Sequence, residues 1–134
     1  MVYAERDAGA EQIIDIATLT GACIVSLGGE YAGMWSNDDA MGAAIKSAAA
    51  STGEKMWQMP LAEEYEQSIK SKIADIKNIG GKGGGSITAA LFLQHFVECP
   101  WAHLDIAGPV WDDAKGATGY GAKTLATWIV NAGK

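Results

Sequence analysis

Short apolar runs closed by glycine are the feature that most limits what this chain can fold into. Residues 12–18 read Gln-Ile-Ile-Asp-Ile-Ala-Thr and meet the turn Thr20-Gly21; Ala22–Leu27 stops at Gly28-Gly29; Trp101–Ala107 stops at Gly108-Pro109. Apolar runs this short, bounded by glycine, fit strands buried on both faces. Tyr31–Ser36 fits a further strand. Asn37-Asp38-Asp39 offers N-caps for an alanine-rich helix at 40–51, which Ser51-Thr52-Gly53 ends. Pro60 biases Trp57–Leu61 toward an extended path. A helix is expected at 62–72, with Glu63, Glu64 and Glu66 early and Lys70 and Lys72 late, the order that complements the helix dipole. After the glycine loop Asn78–Ser86, Ser86 is expected to cap an apolar helix, Ile87–Glu98, stopped by Pro100. A loop, Asp112–Gly121, leads into an amphipathic helix at 122–132. Strands alternating with helices predict an α/β layered fold, and neither a repeat nor a linker divides the 134 residues.

Charge narrows the partners. The net charge is −6, so the surface repels phosphate backbones and nucleic acid is not an expected partner. No apolar run reaches the length of a membrane span, and Met1–Asp7 lacks the basic and apolar regions of a secretory signal. Cys23 and Cys99 sit in apolar stretches and read as reduced, buried thiols of a cytosol-like compartment.

Several stretches invite chemistry and fail on spacing. In the loop Asn78-Ile79-Gly80-Gly81-Lys82-Gly83-Gly84-Gly85-Ser86, Lys82 precedes glycine where a phosphate loop needs Ser or Thr. In Gly119-Tyr120-Gly121-Ala122-Lys123-Thr124, alanine stands where glycine belongs. These glycines therefore serve close backbone approach to something else. His95 and Glu98 share a helix face as a metal pair would, yet a zincin helix needs a second histidine, and Pro100 separates His103 from it. Hydrogen-bonded structural histidines are the stronger reading. Asp15 and Asp105 lie near strand ends, where α/β folds place ligand groups. Each is either an acceptor for turn amides, the favoured reading, or part of a site. No Gly-x-Ser-x-Gly elbow is present.

Four blocks, in order, resemble the leucine (cytosol) aminopeptidase family. They are Asp15-Ile16-Ala17-Thr18-Leu19-Thr20-Gly21-Ala22; Ala74–Gly81 with Gly84–Ala90; Trp101-Ala102-His103-Leu104-Asp105-Ile106-Ala107-Gly108; and Lys115-Gly116-Ala117-Thr118-Gly119. The connecting stretch Gly53–Leu61 is family-like too, so the likeness spans essentially the whole chain. It implies the C-terminal portion of a catalytic domain over residues 1–134: a mixed sheet with helices on both faces.

The resemblance also implies an activity. Such enzymes remove N-terminal, leucine-type residues from peptides with two divalent cations, zinc or manganese, that activate water and polarise the scissile carbonyl. The ligands are a lysine, three aspartates and a glutamate. Two of them lie in an Asn-Thr-Asp-Ala-Glu-Gly-Arg motif whose arginine holds a carbonate. That motif falls upstream of Val2–Glu5, so neither a metal ligand nor a catalytic residue is assigned here, and the chain alone is expected to bind no metal pair or carbonate. What carries over is the substrate wall. Thr18, Leu19 and Gly21 match positions whose backbone holds the substrate main chain, and Leu19 also matches a carbonate contact. Thr18, Gly21, Ala107 and Val110 match the pocket for the first side chain, and Ile79 the pocket for the second. Asp15, Asp105 and His103 are assigned to structure. A peptide substrate, a homo-hexamer and a cytoplasmic or organelle stroma/matrix setting follow from the same likeness. The rival expectation is a non-catalytic assembly subunit, or a truncated piece that docks on a hexameric aminopeptidase.

Overall fold

The computed structural model describes residues 1–132. Its centre is a four-stranded mixed sheet of β1 (Ile13–Ala17), β2 (Ala32–Ser36), β3 (Met56–Gln58) and β4 (Trp101–Asp105), in the order β1-β4-β2-β3. β1 runs parallel to β4, with Ile13 opposite Trp101 and Ala17 opposite Asp105. β2 is antiparallel to β4 and parallel to β3. Because β4 is flanked on both sides, all five of its residues are buried, as the apolar run predicts.

Alternation along β4 separates two cores. Ala102 and Leu104 face one way and, with Ile106, pack with Ala32, Met34, Met41 and Ile45. This face is covered by α3 (Asp39–Thr52) and α5 (Ala122–Ala132), whose Leu125 and Trp128 reach the cluster. Asp38 caps α3 by accepting from Met41 N–H at 2.7 Å, and Gly53, at φ +76°, ends it. Trp101 and His103 face the other way, toward α1 (Val2–Arg6), α2 (Gly21–Leu27) and α4 (Gly85–Gln94). Helices thus lie on both faces of the mixed sheet, as the resemblance implied.

Three local expectations are corrected. Ala22–Leu27 is not a strand; it is most of α2. Thr20 supplies the cap, its hydroxyl accepting from Cys23 N–H at 2.9 Å, and Gly28, at φ +71°, closes the helix. Only Cys23 is buried, while Val25 is 90% exposed. The segment 62–72 is not an α-helix. A 3-10 helix spans Glu63–Ile69 without a side-chain cap, and Lys70 then bridges to Ile76, so Lys70 and Lys72 stand in a turn. The apolar helix runs 85–94 rather than 87–98. Its N-cap is Gly84, at φ +64°, and Ser86 is buried within the first turn. It stops at Gln94, and further along the Glu5 carboxylate accepts from the backbone N–H of Glu98 and Cys99, at 3.0 and 2.6 Å.

β1 also differs from a strand buried on both faces. It is an edge strand: Ile13 is buried and Ile16 is 36% exposed. The expected loop 112–121 contains a small hairpin, β5 (Trp111–Asp112) against β6 (Gly116–Ala117).

Candidate functional site

Parallel β1 and β4 end side by side, and the chain leaves both ends through turns. Asp105, the last residue of β4 and fully buried, organises them. Its carboxylate accepts from Leu19 N–H (3.1 Å), Thr20 N–H (3.1 Å), the Thr20 hydroxyl (2.7 Å) and Ala107 N–H (3.2 Å). A buried carboxylate is tolerated when donors satisfy it, and this one is surrounded by them. Ile106 N–H adds a bond to Ala17 C=O at 2.9 Å. The turn after β1 and the turn after β4 are therefore one unit.

Glycine lets the second turn sit close. A side-chain carbon on Gly108 would stand 2.2 Å from the carbonyl oxygen of Gly28, so only glycine allows this turn to lie against the end of α2.

Beside the first turn lies a cleft of about 190 Å3. Leu19 and Thr20 form one side, Asn78–Gly81 the other, and Gly85, Thr88 and Ala89 of α4 the rest. The wall 78–81 is seated by Gly80, where a side-chain carbon would meet the Thr88 hydroxyl at 2.8 Å. α4 reaches the cleft because Gly85 packs on Ala22 of α2, with room for no more than a tight methyl contact at 3.1 Å.

The residues assigned to a substrate wall fall as follows. Thr18, Leu19, Gly21 and Ala107 gather around the unit held by Asp105, with Thr18, Leu19 and Gly21 exposed and Ala107 half-buried. Ile79, 75% exposed, faces Leu19 across the cleft. Val110 stands apart from the cleft. Its N–H donates to Ile106 C=O at 3.1 Å and its side chain packs on the cluster with Leu104 and Ile106. Sequence reasoning did not assign Thr20, Asn78, Gly80, Gly81, Thr88 or Ala89. The glycine loop signalled close approach; the α4 contribution depends on packing that no local pattern encodes.

The other chemistry-bearing side chains are dispersed. Asp15 accepts from the Trp101 indole (2.7 Å) and bonds the His103 ring at Nδ1 (2.6 Å), and His103 lies in the core, stacked with Trp101 and tilted against Trp35. His95 pairs with Glu66 at 3.1 Å on the far side of α4. His95, Glu98 and His103 do not converge, and among the described residues no group of three or more His, Cys, Asp or Glu could hold a metal. Both carboxylates near the strand ends are already committed to N–H and O–H donors, so a metal pair does not fit here. Cys23 and Cys99 are both free, Cys23 buried and Cys99 half-buried. Burial, and then the negative charge of Asp105, push the Cys23 thiol up to about 11.

Larger hollows of about 380 and 410 Å3 lie around His95. They are surface grooves along α4, away from the strand ends. The cleft at Leu19 is the better candidate because it opens where α/β sheets seat ligands.

Comparison with known proteins bears on this arrangement. The profile described as "Cytosol aminopeptidase family, catalytic domain" matches residues 1–126. A probable cytosol aminopeptidase of Cyanothece sp. is 56% identical over 137 residues, 97% of this chain and 28% of the relative. One of Trichodesmium erythraeum is 55% identical over 138 residues, with 98% and 28% covered. A tomato leucine aminopeptidase mutant of known structure superposes with a TM-score of 0.93 at 49% identity, covering 97% of this chain and 26% of that one. The chain thus spans about 28% of the length of the relatives it matches.

Proposed function

The chain belongs to the cytosol aminopeptidase family, within the catalytic domain, and we propose that it forms the substrate side of a two-metal aminopeptidase that removes apolar, leucine-type N-terminal residues from peptides. The observation behind this reading is the Asp105 carboxylate, which ties the turn 18–20 to Ala107 beside an uncharged cleft. A fixed turn presents backbone to a peptide without an ordering cost at binding.

The reading assigns particular work to these residues. Leu19 N–H is committed to Asp105, so Leu19 offers a peptide its carbonyl oxygen, an acceptor for a peptide amine or amide. A carbonate on that same N–H would have to share the donor with Asp105. Thr18, Gly21, Ala107 and Val110 would wall the first side chain and Ile79 the second; none is charged, in keeping with apolar substrates. Zinc or manganese would supply an activated water and a polarised carbonyl when bound. Because the carboxylates described here face N–H and O–H donors, such metals would be held by residues other than these.

A chimera tests this. Residues 1–134 would replace the matched stretch of the Cyanothece relative, and hydrolysis of leucine anilide would be followed with added manganese. Metal-dependent hydrolysis is expected from the chimera and none from the chain alone. A folded, metal-loaded chimera without hydrolysis would overturn the reading. The rival, an assembly subunit docking on a hexameric aminopeptidase, draws on the outer edge of β1, which pairs with no strand among the described residues. It requires the same chimera to assemble yet stay inactive.

A further inference from the structure

Lys70, Lys72, Lys77 and Lys82 are four of the ten basic residues of the chain, and they fall within residues 70–82 against one acid, Asp75. In a protein of net charge −6 this segment reverses the local sign. All four lysines are exposed. The ion pairs found among the described residues use Arg6, Lys55, His95, His103 and Lys115 instead.

The same segment walls the cleft. Asn78–Gly81 line it, and Lys77 and Lys82 bracket them in sequence. One end of the wall is fixed, since Lys77 N–H donates to the carbonyl of buried Ile69 at 2.7 Å. Among the described residues, the cleft lining has no ionisable side chain. A neutral slot whose wall is bracketed in sequence by two exposed lysines suits a ligand whose neutral part enters and whose anion stays outside.

We propose that Lys77 and Lys82 recognise a carboxylate on the peptide just beyond the residue that enters this cleft. The inference rests on the reading of Ile79 as the wall for the second side chain. In a dipeptide that carboxylate is the free C-terminus; in a longer peptide an acidic third residue supplies the same group. Both ammonium groups are exposed on flexible stems, so the preference is modest and salt-sensitive.

The chimera described above would be assayed with Leu-Gly, Leu-Gly-amide, Leu-Gly-Asp-amide and Leu-Gly-Asn-amide. At low salt, kcat/KM for Leu-Gly is expected to exceed that for its amide about three-fold, as two exposed charge contacts allow. The ratio should fall toward one at about 1 M salt, where screening is nearly complete, and also in the Lys77→Gln, Lys82→Gln double variant. A preference for the Asp over the Asn tripeptide supports the proposal with a side chain as the source. A preference confined to Leu-Gly supports it with the C-terminus as the source. Equal rates within both pairs, from a chimera that hydrolyses leucine anilide, would overturn it. A chimera that fails on leucine anilide would instead overturn the underlying reading of the cleft.

Discussion

Thr20 gives both its backbone N–H and its hydroxyl to one oxygen of Asp105, at 3.1 and 2.7 Å, across 85 positions of sequence. The same hydroxyl accepts from Cys23 N–H and starts α2. One contact therefore fixes the turn after β1, the turn after β4 and the first turn of a helix. Asp105→Ala would leave the N–H groups of Leu19, Thr20 and Ala107 without their acceptor. The expected loss is about 3 kcal/mol or more, since each bond to a charged acceptor contributes substantially and partly buried donors are costly to orphan. Asp105→Asn keeps one acceptor oxygen and should cost less. Urea midpoints of the three proteins check this; an Asp105→Ala cost below about 1 kcal/mol would mean that the turns are held by something else.

Stability should decline in alkali before it declines from general charge repulsion. Burial, then the charge of Asp105, raise the Cys23 thiol to about 11. Burial, then the charge of Glu54, raise the Tyr120 phenol to about 12. A group whose folded pKa is raised stabilises the fold below its unfolded pKa, and that contribution is lost as pH rises through the folded value. The Cys23 contribution should fade from about 8.5, the unfolded thiol value, to about 11. That of Tyr120 should fade from about 10 to about 12. Melting temperatures from pH 7 to 11 should fall, and Cys23→Ala should flatten the earlier part of the decline. An unchanged slope in Cys23→Ala would remove the thiol from this explanation.

Much of the fold was legible. β4 announced itself because Trp101–Ala107 is apolar but for His103 and Asp105, and the structure buries residues 101–106. α3 was legible from Asp38 at one end and Gly53 at the other. Ala22–Leu27 misled because a run that short has no usable period; the Thr20 cap was the signal that decides for helix. The helix expected at 62–72 is instead an uncapped 3-10 helix over Glu63–Ile69, and past it Lys70 bridges to Ile76. At the site, Leu19 and Ala107 were assigned through the family resemblance, and the structure ties both to the Asp105 carboxylate. Thr88 and Ala89 could not, since their position depends on α4 resting Gly85 against Ala22.

Val110 offers a test of specificity. Its side chain packs on the cluster with Leu104 and Ile106, and no charged residue is assigned to the pocket for the first side chain. In the chimera, Val110→Asp is expected to lower the ratio of leucine to lysine hydrolysis (as kcat/KM) by about ten-fold, the scale that one pocket contact commonly sets. A thermal melt confirms that the variant folds. An unchanged ratio in a folded variant would remove Val110 from that pocket.

The most direct measurement is a crystal structure of the chimera with a non-hydrolysable analogue of a leucyl dipeptide. The expected result places the leucine side chain against Thr18, Ala107 and Val110. The Leu19 carbonyl should accept from the ligand while Leu19 N–H stays on Asp105, and the second residue should enter the cleft beside Ile79. A ligand bound in one of the grooves around His95, with Thr18–Gly21 left in solvent, would contradict the assignment of this chain to the substrate side.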